Sequence, residues 1–263
     1  MNLARLCSVV LDVLFGERHF CPACGRFGSA QAFCGECTAR IPKVSSPACR
    51  VCGTPLRRRA LAGSDAQEAQ DAREARHVCT GCRLTRRYFE CARAPAIYEG
   101  AAREHVHDLK YRARVEIVPA LSRTMALCAI RHAMADWCDC VVAVPMHPDK
   151  LARRGFNQAE LLARAVASLL GAPLIPGALS RREYTGTQTF LDRQNRRGNV
   201  LNAFVCDEPA AVAEARILLV DDVLTSGATA DGCARALLRS GASGVNVLTF
   251  AVSVADMRDW NPM

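Results

Sequence analysis

Two adjacent carboxylates, Asp221 and Asp222, stand between an apolar segment and a turn of small and hydroxyl residues. The run reads Arg216-Ile217-Leu218-Leu219-Val220-Asp221-Asp222-Val223-Leu224-Thr225-Ser226-Gly227-Ala228-Thr229. Residues 217–220 have the length and β-branched content of a strand buried on both faces. A helical pattern follows from about Thr229 to Arg239. A strand that turns tightly into a helix leaves backbone N–H groups of Ser226 to Thr229 pointing outward, where the helix dipole favours an anion. Thr225, Ser226 and Thr229 add hydroxyl donors, and Gly227 permits a backbone shape that a side chain would oppose. Ahead of that cradle, acceptor-only carboxylates suit the vicinal hydroxyls of a sugar, or a Mg²⁺ that bridges them.

A second chemistry lies near the start. Four Cys-x-x-Cys pairs occur: Cys21/Cys24, Cys34/Cys37, Cys49/Cys52 and Cys79/Cys82. Glycine follows the pair at Gly25 and Gly53 and sits inside it at Gly35 and Gly81. Such knuckles aim two sulfurs inward, and two knuckles close a tetrahedral Zn²⁺ site. Two structural Zn²⁺ ions are expected. Four cysteines per site leave no open position for catalysis. Disulfides are the competing reading, but the remaining cysteines are scattered singly. Sequential pairing, Cys21–Cys37 and Cys49–Cys82, is the simpler arrangement, with interleaved pairing still open. His77, two residues before Cys79, is a substitute ligand on paper and more simply exposed.

The elements that must position these groups divide the chain in two. Residues 1–87 form a head with a short amphipathic helix over Leu3–Phe15, two zinc ribbons, and a solvated insertion over Leu56–His77. Residues 88–263 read as an α/β body. Strands are expected at Ala94–Tyr98, Cys140–Val144, Pro173–Pro176, Ala203–Val205, 217–220 and Val245–Val252. Helices are expected at Ala101–Arg112, Ile117–Ala135 with Pro119 in the first turn, and Asn157–Leu170. That alternation implies a mostly parallel sheet flanked by helices, with right-handed crossovers and ligands at the carboxyl ends of the strands. Half of the 263 residues are hydrophobic, enough for a core, and no apolar run reaches the length of a membrane span. We expect a cytoplasmic protein. Its net charge of +8 is uneven: the first 87 residues hold 14 Lys and Arg against 7 Asp and Glu. This excess suits nucleic-acid phosphates, or simply offsets two tetrathiolate zinc sites.

Two polar loops belong to the same face. One runs from Val144 to Gln158 and carries Lys150, Arg153 and Arg154, which suit a pyrophosphate. The other runs from Arg181 to Asn199 and includes Arg193 and Arg196, which suit a flap closing over a polyphosphate.

The acid-pair run resembles the 5-phosphoribosyl-1-pyrophosphate (PRPP) motif of the type I phosphoribosyltransferases. That resemblance implies that Asp221 and Asp222 face the ribose 2- and 3-hydroxyls, and that Thr225, Ser226, Gly227, Ala228 and Thr229 hold the 5-phosphate. Taken in order, the cysteine pairs, Leu109-Lys110-Tyr111, Arg154-Gly155-Phe156-Asn157-Gln158, Thr187-Gln188 with Leu191, Arg193 and Arg196, and Leu219-Val220-Asp221-Asp222-Val223 resemble the ComF family of competence-associated, phosphoribosyltransferase-like proteins. The likeness spans nearly the whole chain; the 56–77 insertion and Ser226, often threonine in that family, are departures.

The family implies action linked to DNA uptake, transformation or use of external DNA. PRPP with Mg²⁺ is the expected ligand, and Lys110 is a further candidate for its pyrophosphate. Single-stranded DNA and a competence helicase or uptake protein are the expected macromolecular partners. No segment names a purine, pyrimidine or amine acceptor, so the alternative is a non-catalytic PRPP-sensing or nucleic-acid-binding module on the same scaffold. A pure zinc-ribbon transcription factor would leave the phosphate cradle unused.

Overall fold

The computed structural model describes residues 20–56, 77–181 and 203–254. The amphipathic segment 3–15, the bulk of the 56–77 insertion, and Arg193 and Arg196 lie outside the described residues. The body is built on five parallel strands: β1 (Cys91–Arg93), β2 (Ala96–Ile97), β3 (Cys140–Ala143), β6 (Arg216–Leu224) and β7 (Gly244–Val252). Their order is β1-β7-β6-β3, with β2 also pairing β7. All nine residues of β7 are buried, because both faces of the central strands are covered, as a parallel sheet demands.

Period-two alternation sorts β6 between two cores. Ile217 and Leu219 meet Val245, Val247, Cys233 and Leu237 on one face. Leu218 and Val220 meet Leu248, Phe250, Leu109, Leu121 and Leu162 on the other. The first face is covered by α9 (Ala228–Arg239). The second is covered by α3 (Gly100–Tyr111), α4 (Val118–Arg131) and α7 (Gln158–Leu170). Each such fully buried side chain contributes about 1.5–3 kcal/mol over an exposed one.

Several expected elements are altered. Helix α4 has Pro119 in its first turn, but stops at Arg131, because Ala133 is left-handed at φ 54° and a separate turn, α5 (Met134–Trp137), follows. Pro173–Pro176 supplies only a single parallel bridge, Leu174 to Val141. The Val144–Gln158 loop contains a short helix, α6 (Pro148–Arg154), begun by Pro148 and by a hydrogen bond from the Asp149 N–H to His147 Nδ1 at 3.2 Å. The strand expected at Ala203–Val205 is β5 (Phe204–Cys206), which lies outside the main sheet and pairs antiparallel with β4 (Leu179–Arg181). In that pairing Arg181 faces Phe204. Helix α8 (Pro209–Val212) then leads to β6.

The head lies directly on this body. Its short helices are α1 (Gly35–Arg40) and α2 (Thr80–Leu84). Ile41 enters the α3/α4 core, and Val44, Val51 and Cys52 pack on the other. The Ala92 N–H donates to the Val51 carbonyl at 2.6 Å, and the Val44 N–H to the Pro95 carbonyl at 3.2 Å. Gly53 marks the closest approach: it sits at φ 70°, and a Cβ there would lie 2.6 Å from the Ala92 carbonyl oxygen, which only glycine tolerates.

Candidate active site and metal centres

Strand β6 carries the acid pair inward. It extends to Leu224, so Asp221 and Asp222 belong to the strand and do not follow it. Pairing with β7 runs from Asp221–Thr249 to Val223–Ala251 and skips Asp222. The Asp222 N–H instead donates to Asp221 Oδ1 at 2.8 Å. Alternation turns the two side chains to opposite faces. Asp222, 3% exposed, faces α3. There the Lys110 ammonium lies 2.8 Å from its Oδ2. That contact is an ion pair without hydrogen-bond alignment, and Oδ2 has no other partner among the described residues. Burial pulls Lys110 down, but Asp222 and Asp221 overcome it, and the net effect raises its pKa. Burial, then the adjacent Asp222 charge, pushes Asp221 up to about 8. Two adjacent acids are thus offset by the one ammonium that touches Asp222, which leaves negative charge for a further positive or hydrogen-donating group.

The turn that follows has the expected form. Gly227 is left-handed at φ 77° and precedes α9, whose first turn has no side-chain cap. Thr225, Ser226 and Thr229 are exposed, and Ala228 is half-buried. The Ala228 N–H points at Ser226 Oγ, 3.4 Å away. One residue escaped the sequence reading. Arg87, at the end of the head, donates to the Ser226 carbonyl at 2.8 Å and would stand 3.4 Å from a Cβ on Gly227. Its Nε is buried and has no hydrogen-bond partner among the described residues. The next N–H, of Tyr88, donates to buried Asp231 at 2.6 Å. Arg87 was legible only as one of many head arginines.

Among the basic candidates, Arg154 comes near Lys110: its guanidinium lies over Tyr111 at 5.5 Å and donates to Gln158 Oε1. Lys150 and Arg153 are exposed on α6. Arg153 bonds only the Asp149 carbonyl, at 3.3 Å. The Arg-Gly-Phe-Asn-Gln element is largely architectural. Asn157 accepts the Ala159 N–H at 3.0 Å, capping α7, and donates to the Val144 carbonyl at 3.0 Å, binding that helix to the end of β3.

Sulfurs of Cys21, Cys24, Cys34 and Cys37 form one cluster and those of Cys49, Cys52, Cys79 and Cys82 another, all ligand atoms within 4.8 Å of one another. Sequential pairing is therefore the arrangement present, and His77 takes no part. In each cluster the first knuckle closes through glycine: the Gly25 N–H donates to the Cys21 carbonyl and the Gly53 N–H to the Cys49 carbonyl, both at 2.8 Å. The second knuckle opens a short helix, α1 or α2. Backbone N–H groups point at sulfur, Cys34 to Cys21 at 3.4 Å and Cys79 to Cys49 at 3.4 Å. Burial opposes ionisation of Cys21, but N–H groups of Cys34, Cys24 and Ala23 outweigh it and lower the thiol to about 6. Cys49 is driven down by hydrogen bonds from Cys52, Cys79 and Cys82, while Cys82 is driven up by those with Cys49, Cys52 and Cys79. Four thiols so close ionise together only around a cation, and the all-sulfur donor set fits structural Zn²⁺. All described cysteines are free of disulfides.

Comparison with known proteins agrees with this layout. Residues 10–83 match the double zinc ribbon domain. The DNA utilization protein YhgH of Escherichia coli O157:H7 is 38% identical over 146 residues, 54% of this chain and 63% of that protein. The chain thus spans less than two thirds of that relative. Competence protein ComFC of Bacillus subtilis strain 168 is 25% identical over 215 residues, 79% of this chain and 78% of the other. Among solved structures, the purine phosphoribosyltransferase of Pyrococcus horikoshii Ot3 superposes with a TM-score of 0.30 at 16% identity, covering 48% of this chain and 70% of that one. With a double zinc ribbon docked on a parallel α/β body whose central strand carries the acid pair, this chain is similar to the DNA utilization protein YhgH and to competence protein ComFC.

Proposed function

We propose that the chain binds PRPP at the carboxyl end of β6 and acts as a ComF-type phosphoribosyltransferase-like protein in DNA uptake or the use of external DNA. What carries the reading is the buried acid pair with its single cation, Lys110, set immediately before an uncapped helix N-terminus. Asp221 and Asp222 accept from the ribose hydroxyls. The N–H groups of 226–229, with the hydroxyls of Thr225, Ser226 and Thr229, hold the 5-phosphate. Lys110, Lys150, Arg153 and Arg154 meet the pyrophosphate, and Lys110 exchanges part of its contact with Asp222 for the ligand. Arg193 and Arg196 close from the flap. Carbon 1 then passes through an oxocarbenium-like state, in which positioning and neutralisation of the leaving group supply the rate. Asp221 and Asp222 would hold Mg²⁺, which would supply charge neutralisation for the leaving pyrophosphate.

PRPP with Mg²⁺ is expected to raise the melting temperature of the wild type and to leave that of the Asp221→Ala/Asp222→Ala variant unmoved; an equal rise in both would remove the site. Pyrophosphate release across a panel of purines, pyrimidines and amines tests turnover. The basic excess of the first 87 residues favours a second reading, a PRPP-responsive module that handles single-stranded DNA, or docks a helicase or uptake protein, without catalysis. Salt-dependent DNA binding that is lost on zinc removal, with no pyrophosphate released, would select it.

A further inference from the structure

A cavity of about 610 Å³ lies between head and body, away from the acid pair. It shares no residue with Lys110, Asp221, Asp222 or the 225–229 turn. Its lining includes Lys43 and Arg50 from the head and Arg93 and Arg131 from the body, and holds no Asp or Glu. Among the described residues Lys43, Arg93 and Arg131 form no ion pair. Arg93 is oriented from behind, donating to the Arg50 and Ala92 carbonyls at 2.9 and 2.8 Å. The positive field registers on a neighbour: burial, and then Arg93 and Arg131, lower the pKa of His132, which also lines the space. Cations such as Lys43, Arg93 and Arg131, gathered around a concave space, raise one another's energy, and an anion relieves it. The remaining wall is apolar, from Ile41, Val44, Pro95 and Leu127. Leu127 is 56% exposed, a large side chain without cover.

We propose that this cavity is a second ligand site, for a nucleotide. The cations take its phosphate and the apolar wall takes its base. Size and position agree, since ligand pockets run from about 300 to 1,000 Å³ and favour domain interfaces. A sugar phosphate would leave Leu127 uncovered, and inorganic phosphate would leave most of the space empty. The ligand would bridge the second zinc ribbon and the β1 edge, because Cys49 and Gly53 also line the cavity. The same chemistry is offered by a free mononucleotide or by one unit of a single strand.

Calorimetric titration of the full zinc-loaded chain with AMP, in the presence of saturating PRPP and Mg²⁺, tests the site. Repeating it with Asp221→Ala/Asp222→Ala removes any contribution from the first site. Saturable AMP binding that survives both conditions is expected, weakened about tenfold by Arg131→Glu and by Lys43→Glu. Both positions are exposed, so their melting temperatures should match the wild type and fold loss cannot explain the result. Inorganic phosphate should bind far more weakly than AMP. An oligo-dT arm identifies the source: tight binding that competes with AMP, and whose salt slope falls by about one per charge reversed, points to a strand; AMP binding without it points to a free nucleotide. The proposal falls if AMP does not saturate, if PRPP or the acid-pair variant abolishes its binding, or if neither charge reversal weakens it.

Discussion

Asp221 and Asp222 differ in chemistry although they are neighbours, because a strand turns them to opposite faces. Asp222 is held by Lys110, while Asp221 is raised to about 8 by burial and by the Asp222 charge. An unfolded aspartate titrates near 3.9. The folded state therefore holds the Asp221 proton more tightly than the unfolded state. This contribution to stability is complete below about pH 4 and is lost as pH rises through about 8. Urea unfolding between pH 5 and 8.5 should show stability falling with pH, and Asp221→Asn should flatten that slope while keeping the fold. An unchanged slope in the variant would assign the dependence to another group. The types and spacing of these residues were plain in the sequence. Their unequal environments were not, because Lys110 reaches Asp222 from another element.

At the scale of elements, strand β6 and helix α9 were legible from an apolar run, hydroxyls and glycine. Two errors are instructive. The acids seemed to end the strand, since charged residues usually do, but the sheet continues through them because Lys110 offsets Asp222. The 203–205 strand seemed part of the main sheet, but it pairs with β4, whose polar residues Ser180 and Arg181 gave no strand signal. Within the Arg154–Gln158 signature, Asn157 serves as the cap of α7 and as its tie to Val144. Asn157→Ala should cost about 1–2 kcal/mol in unfolding free energy, with PRPP affinity of the folded protein unchanged. A loss of affinity without a loss of stability would make Asn157 a ligand contact.

The whole molecule is held by the contact between head and body. The second ribbon anchors on β1 through Val51 and Gly53, and the chain leaving Cys82 reaches the 225–229 turn through Arg87. The first ribbon touches α3, with Phe33 stacked on His105 at 4.8 Å and Arg114 donating to the Pro22 carbonyl. Metal analysis should find two Zn²⁺ per chain, and Cys21→Ser and Cys49→Ser should each lose one. The Cys49 variant should lower the melting temperature of the body more and also weaken PRPP binding; equal effects would mean the ribbons are independent of the α/β core. The sequence by itself determined the residue types of each short segment: knuckles, acid pair, the hydroxyl and glycine turn, and alternating strands. These depend on residues close in the chain, whose spacing sets their geometry. Only the tertiary structure decided the sequential cysteine pairing, Lys110 against Asp222, Arg87 over the 225–229 turn, and the basic cavity between head and body. Each of these joins residues distant in sequence, and only packing of the elements brings their charges and surfaces within range.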